Sequence, residues 1–204
     1  MQEFFAKGGV LIVPILFCSV LALAIFVERF IRFAVLRKRG LTVDQRVAGH
    51  LVENDPEAAA RTATGSRSPM GRILVQAMEV MGQDRETLET VLVHAIEAEV
   101  RDLSRYLQAL ATIANIAPLL GLLGTVIGMI KAFMIIQEMG GKVNAAVLAG
   151  GIWEAMLTTA LGLAVALPTM VAHSYLVGQV DRYEARLQAG TVRFVKTLGG
   201  LRRS

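Results

Sequence analysis

The sequence predicts an all-α integral membrane protein, with three transmembrane helices and long helices extending into a cytoplasmic helical bundle. Three observations carry this. The 204 residues are 54% hydrophobic and their mean hydropathy is +0.53, too apolar for a soluble domain of this size. Three stretches are nearly free of charge and long enough to cross a hydrocarbon core ~30 Å thick, which takes roughly 20 helical residues. The remaining segments are charged and keep a helical spacing of apolar residues. The chain therefore divides into an N-terminal segment 1–9, a first span 10–30, a helical domain 31–105, a second span 106–136, a loop 137–145, a third span 146–178 and a C-terminal helix 179–204.

Each element follows from local pattern. In 1–9, Phe4 and Phe5 beside Lys7 form a short amphipathic start suited to an interface. Val10 to Val27 is uncharged, and Arg29, Arg32, Arg37, Lys38 and Arg39 follow it rather than precede it. No small-residue cleavage pattern interrupts the run, so it reads as a retained span and not a signal peptide. Cys18 lies within it and has only packing to do. In 31–105, Asn54-Asp55-Pro56 and Gly65-Ser66-Arg67-Ser68-Pro69 separate helices near 42–53, 56–63 and 69–82. Asp84 is placed to cap the next helix. From Arg85 no glycine intervenes until Gly121, so one helix is expected to run on to about Gln137. At ~1.5 Å per residue it would be ~80 Å long, and much of it would project from the bilayer.

That helix carries an apolar stripe of Leu88, Leu92, Ala95, Ala98, Leu103, Leu107 and Leu110. Glu97, Glu99, Arg101, Asp102 and Arg105 are expected to form its solvated face. Asn115 is a polar group available to bond across helices. Pro118 in the second span and Pro168 in the third are expected to kink their helices. His50 and His94 are isolated, without metal-ligand spacing, and His173 falls at the interfacial end of the third span. The tail carries Arg182, Arg186, Arg193, Lys196, Arg202 and Arg203. It reads as a basic helix on the membrane surface or one packed against the helical domain.

Charge sets the topology. Of the 21 Lys and Arg, 18 lie in 29–105 and 181–204; only Lys7, Lys131 and Lys142 lie elsewhere. The positive-inside rule makes the 18-charge side cytoplasmic and puts the N-terminus and the 137–145 loop outside. It also accounts for the net charge of +4 without nucleic acid.

Within the spans, one acid stands out. Glu154 is the lone charged residue between Val143 and Val180. A carboxyl in an apolar span is costly and is by default a functional-site hypothesis; the competing reading is a glutamate near the helix end that reaches the interface. Glu154, Thr158, Gly162 and Ala166 recur every fourth residue and so share a face. On the second span Ala117, Gly121 and Thr125, and likewise Gly124 and Gly128, repeat at the same interval, which lets helices approach closely in lipid. Thr125, Glu154, Thr158 and Thr159 are the candidate ion-pathway groups, since hydroxyls and a carboxyl can line water or hold a small cation. The alternative for each threonine is a bond back to its own helix. No phosphate-binding loop, dinucleotide fingerprint, HExxH or GxSxG is present, so no enzyme activity and no cofactor is expected.

Two motifs resemble a known family. Asn115-Ile116-Ala117-Pro118-Leu119-Leu120-Gly121-Leu122-Leu123-Gly124-Thr125-Val126-Ile127-Gly128-Met129-Ile130-Lys131-Ala132-Phe133 resembles the second-span signature of the MotA/TolQ/ExbB family. Glu154-Ala155, Thr159-Ala160, Gly162-Leu163 and Ala166-x-Pro168 resemble its third-span signature. Three spans match the TolQ/ExbB branch. The resemblance implies a pentamer in the bacterial inner membrane around a dimer of a single-span partner of the ExbD or TolR type. That partner's aspartate would carry the ion, with Thr125 and Thr159 lining the path and Glu154 close to it. It further implies a motor whose ion flow works on outer-membrane transport or the envelope through a TonB- or TolA-like protein. Thr158 departs from the family's usual small residue and gives a Thr158-Thr159 pair similar to that of sodium-driven members. The transported ion is therefore the proton by family default, with sodium as the alternative, and a non-conducting membrane scaffold is the remaining reading.

Overall fold

A computed structural model describes residues 11–39, 42–138 and 145–201. The expected N-terminal segment 1–9, most of the loop 137–145, and Arg202 and Arg203 lie outside the described residues. Those described form helices joined by short turns: α1 (Ile12–Arg39), α2 (Val43–Val52), α3 (Pro56–Gly65), α4 (Pro69–Glu79), α5 (Arg85–Leu103), α6 (Leu107–Glu138) and α7 (Ala145–Leu201). Strands are absent among the described residues. Three helices are long and apolar enough to cross a membrane, over Ile12–Leu36, Leu107–Glu138 and Leu148–Gly200. The chain forms two compact units, Met1–Glu28 with Tyr106–Tyr175, and Arg29–Arg105 with Leu176–Ser204.

In the first unit α6 buries a stripe of small residues, Ala117, Gly121, Gly124, Gly128 and Ala132. It meets Ala155, Thr158, Gly162 and Gly151 of α7. Large apolar side chains point outward instead, among them Leu119, Val126, Phe133, Trp153, Leu167 and Val171, all 50% exposed or more. Water does not tolerate so continuous an apolar surface, whereas lipid does. α6 and α7 continue as helices through Pro118 and Pro168.

The second unit is built conventionally. α2 packs on α3 and α4, α3 on α4, and α4 on α5, around Val43, Val47, Ala59, Ile73, Leu74 and Leu103, each at most 1% exposed. Burying a side chain such as Ile73 or Leu74 stabilises by about 1.5–3 kcal/mol. The breaker clusters act as helix starts. Asp55 accepts from the Ala58 N–H with Pro56 in the first turn. Ser68 accepts from the Gly71 N–H with Pro69 behind it. Asp84 accepts from both the N–H and the hydroxyl of Thr87 at 2.8 Å, and these bonds hold its carboxyl below the usual range.

The expected continuous helix from Arg85 to Gln137 is instead two. α5 ends at Leu103, Ser104 to Tyr106 form a turn, and α6 begins at Leu107. Tyr106 has φ 69°, a left-handed conformation uncommon for a residue with a Cβ. A distant side chain supports the break. Arg29 of α1 is 1% exposed, and its Nη1 donates to the carbonyls of Asp102 at 3.1 Å and Leu103 at 3.5 Å. It thus satisfies carbonyls that a terminating helix leaves open, while Arg32 pairs with the Asp102 carboxylate.

The supposed solvated face of α5 also needs correction. Glu97, Arg101 and Arg105 are exposed, but Glu99 is only 12% exposed at its side chain and receives both arms of the Arg72 guanidinium, Nε at 2.6 Å. That bond raises the Arg72 pKa above its ordinary value. Ala98, placed in the apolar stripe, is exposed, and Ile96 is buried in its stead. Of the two readings of the tail, packing holds. Leu187 and Phe194 are each 1% exposed, and Arg193 donates to Asp44 of α2 at 2.7 Å.

Candidate functional site

The α6–α7 contact positions the candidate residues, and glycine makes it possible. A Cβ on Gly162 would lie 2.6 Å from the Ala117 carbonyl oxygen and 3.1 Å from Gly121 Cα. A Cβ on Gly121 would lie 2.9 Å from Thr159 Cα. Both are collisions with backbone, which cannot step aside as a side-chain tip can. At Gly124 the space a Cβ would need is filled by the Thr158 hydroxyl, 2.2 Å away.

The two adjacent threonines therefore have different surroundings. Thr158 is 2% exposed; its hydroxyl donates to its own helix at the Ala155 carbonyl (2.7 Å) and lies 3.4 Å from the Gly121 carbonyl of α6. Thr159 is partly exposed and donates across the helix pair to that same Gly121 carbonyl at 2.9 Å. One α6 carbonyl is thus the meeting point of both hydroxyls. Thr159 stays partly exposed, whereas Thr158 is enclosed. Thr125 is partly exposed and donates to the Leu122 carbonyl of its own helix at 2.6 Å; among the described residues no hydrogen bond joins it to Thr158 or Thr159.

Glu154 sits one turn before Thr158 on α7, with 29% of its side chain exposed. Its Oε1 lies 4.0 Å from Nζ of Lys131 on α6. The lone acid of the third span thus faces a cation from the second, a pairing that lowers the cost of a charge in apolar surroundings. In the sequence Lys131 enters the topology and the second-span motif without a link to Glu154; its place three residues after Gly128, on the helix that Glu154 faces, is the available signal. Gly162 and Ala166 are buried on the same face as Thr158. Asn115, expected to bond across helices, is exposed and makes no such bond among the described residues. Neither His50 nor His94 joins a cluster; each lies near a glutamate three residues on, at 3.5 and 3.7 Å. No group of three metal-ligating side chains occurs among the described residues.

This arrangement can hold a hydrated path beside two helices. A partly exposed threonine and carboxylate offer oxygen lone pairs, and a cation nearby balances the charge. The profile of the MotA/TolQ/ExbB proton channel family matches residues 65–189, a stretch that takes in α6, the candidate residues and most of α7. An ExbB-like biopolymer transport protein of Synechocystis is 33% identical over 166 residues, 80% of this chain and 79% of its own length. A biopolymer transport ExbB homologue of Methanothermobacter thermautotrophicus is 30% identical over 88% of this chain, which spans 63% of that protein. The biopolymer transport protein ExbB of Salmonella typhimurium is 29% identical over 86% of this chain and 75% of its own. With its three membrane-capable helices, its α6–α7 small-residue contact and these relatives, the chain belongs to the MotA/TolQ/ExbB proton channel family and has a membrane ion-channel or transport role in complex with other proteins.

Proposed function

We propose that this chain is an inner-membrane stator or motor subunit that conducts protons together with an ExbD/TolR-type single-span partner. It forms a homo-oligomer, expected to be a pentamer, around a dimer of that partner. Ion flow is converted into mechanical work on outer-membrane transport or the envelope, delivered through a TonB- or TolA-like protein. The N-terminus is periplasmic and the C-terminus cytoplasmic, on the strength of the 18 basic residues that share one side. The observation that carries the reading is the pairing of the partly exposed Thr159, its hydroxyl anchored at the Gly121 carbonyl, with the Glu154–Lys131 pair one to two turns away. A chain with no ion to handle has no use for charges there.

The ion assignment rests on Thr158. Sodium coupling asks for an added hard oxygen beside Thr159. Enclosure of Thr158 against Gly124, at 2% exposure, favours the proton. Proteoliposomes holding the chain and its partner test the function: Glu154→Gln and Thr159→Val are expected to abolish proton uptake driven by a pH gradient while the complex still assembles. Full uptake in both variants would leave the scaffold reading standing instead.

A further inference from the structure

Two cavities adjoin along one face of α7 in the second unit. The first, of about 310 Å³, is lined by Phe33, Gln179, Arg182, Tyr183 and Arg186. The second, of about 270 Å³, shares Tyr183 and Arg186 and extends to Leu36, Asp44 and Arg193. Residues 179, 182, 183, 186 and 193 recur at helical spacing, so α7 supplies one polar wall. α1 supplies an apolar counterpart in Phe33 and Leu36, three residues apart. The lone acid along this groove, Asp44, is engaged by Arg193 at 2.7 Å. Asp181 and Glu184 of α7 line neither cavity. Arg182 and Arg186 are exposed, and no ion pair joins either to an acid among the described residues. The groove therefore carries two uncompensated guanidinium groups in a polar wall opposite an apolar one.

Its place in the chain says what fits. Gln179 and Arg182 come within about one turn of the end expected for the third span at 178, and Phe33 within one turn of that expected for the first at 30. A basic, amphiphilic groove at that depth matches a phosphate head with an acyl chain attached, and the guanidinium fork suits phosphate oxygens. We infer that the groove between α1 and α7 binds the phosphate headgroup of an anionic phospholipid through Arg182 and Arg186, with Phe33 and Leu36 against its apolar part.

Native mass spectrometry of the full-length chain in detergent, titrated with phosphatidylglycerol or phosphatidylcholine, tests this. Micelles reach both faces of the protein, so the result does not depend on the membrane orientation. The wild type is expected to retain phosphatidylglycerol over phosphatidylcholine, and R182Q/R186Q to lose about tenfold or more in phosphatidylglycerol affinity. R61Q/R85Q, which removes the same charge from exposed positions on α3 and α5, is expected to bind as the wild type does. Equal retention of the two lipids, or an equal loss in R61Q/R85Q, would overturn the site. Displacement of phosphatidylglycerol by inorganic phosphate at the same free concentration would overturn the lipid assignment in favour of a free phosphate.

Discussion

Between α6 and α7 the buried residues are small, among them Ala117, Gly121, Gly124, Gly128, Ala155, Thr158 and Gly162, and large side chains such as Val126 and Trp153 face out. Among α2 to α5 the buried residues include Val47, Ile73, Leu74, Leu92 and Leu103, and charges face out or, like Glu99 and Asp44, are covered by an arginine partner. Both are helix pairs packed by side chains, yet the patterns are inverted because the solvents differ. In lipid, burying a leucine gains little over leaving it exposed, so close backbone approach and bonds such as Thr159 to Gly121 must hold the pair. In water, apolar area removed from solvent dominates, and bulk belongs inside. Small residues thus form the whole α6–α7 contact, whereas among α2 to α5 they serve at single points, such as Gly71, where a Cβ would meet the Ala63 carbonyl oxygen at 2.4 Å, and Gly49 faces open space.

Substitutions that add or remove a few atoms should separate the two regimes. The largest effect is expected from Leu74→Ala in the second unit, a loss of about 2–5 kcal/mol from cavity formation, read as a drop in denaturant midpoint. Gly162→Ala comes next. Adding one methyl against the Ala117 carbonyl at 2.6 Å should cost about 1–3 kcal/mol by overpacking, measured by unfolding in mixed micelles. Gly49→Ala, the same change on α2 where a Cβ meets nothing within 4 Å, should instead stabilise by about 0.5–1 kcal/mol. If the two glycine substitutions had the same sign, the distinction drawn between the packed α6–α7 contact and the open face of α2 would be wrong. The smallest effect concerns Asp84, whose carboxyl is held below its ordinary value by Thr87. Its contribution is present above the unfolded value near ~3.9 and fades as pH falls through the lower folded value. Asp84→Asn should thus flatten the acid side of the stability profile, followed by circular dichroism below that value.

The sequence made the fold class legible because hydropathy and periodicity are local. It made the starts of α3, α4 and α5 legible because Asp55-Pro56, Ser68-Pro69 and Asp84 carry their capping chemistry with them. The break at 104–106 was not legible. No glycine or proline marks it, and part of its support is Arg29, 73 residues away from Asp102, which local reading had spent on topology. The same limit hid Arg72–Glu99 and Lys131–Glu154, pairs formed across elements. At the candidate site, residue types announced Glu154 and the threonines, but nothing in the order Thr158-Thr159 says which hydroxyl is enclosed. That depends on where Gly121 and Gly124 of another helix fall.

Adjacent threonines with opposite surroundings give the most direct test. Ion flux into proteoliposomes holding the complex with its partner can be compared for Thr158→Ala and Thr159→Val, with and without sodium. Proton flux that needs no sodium, survives in Thr158→Ala and disappears in Thr159→Val is the expected result. Flux that requires sodium and loses that requirement in Thr158→Ala would contradict it.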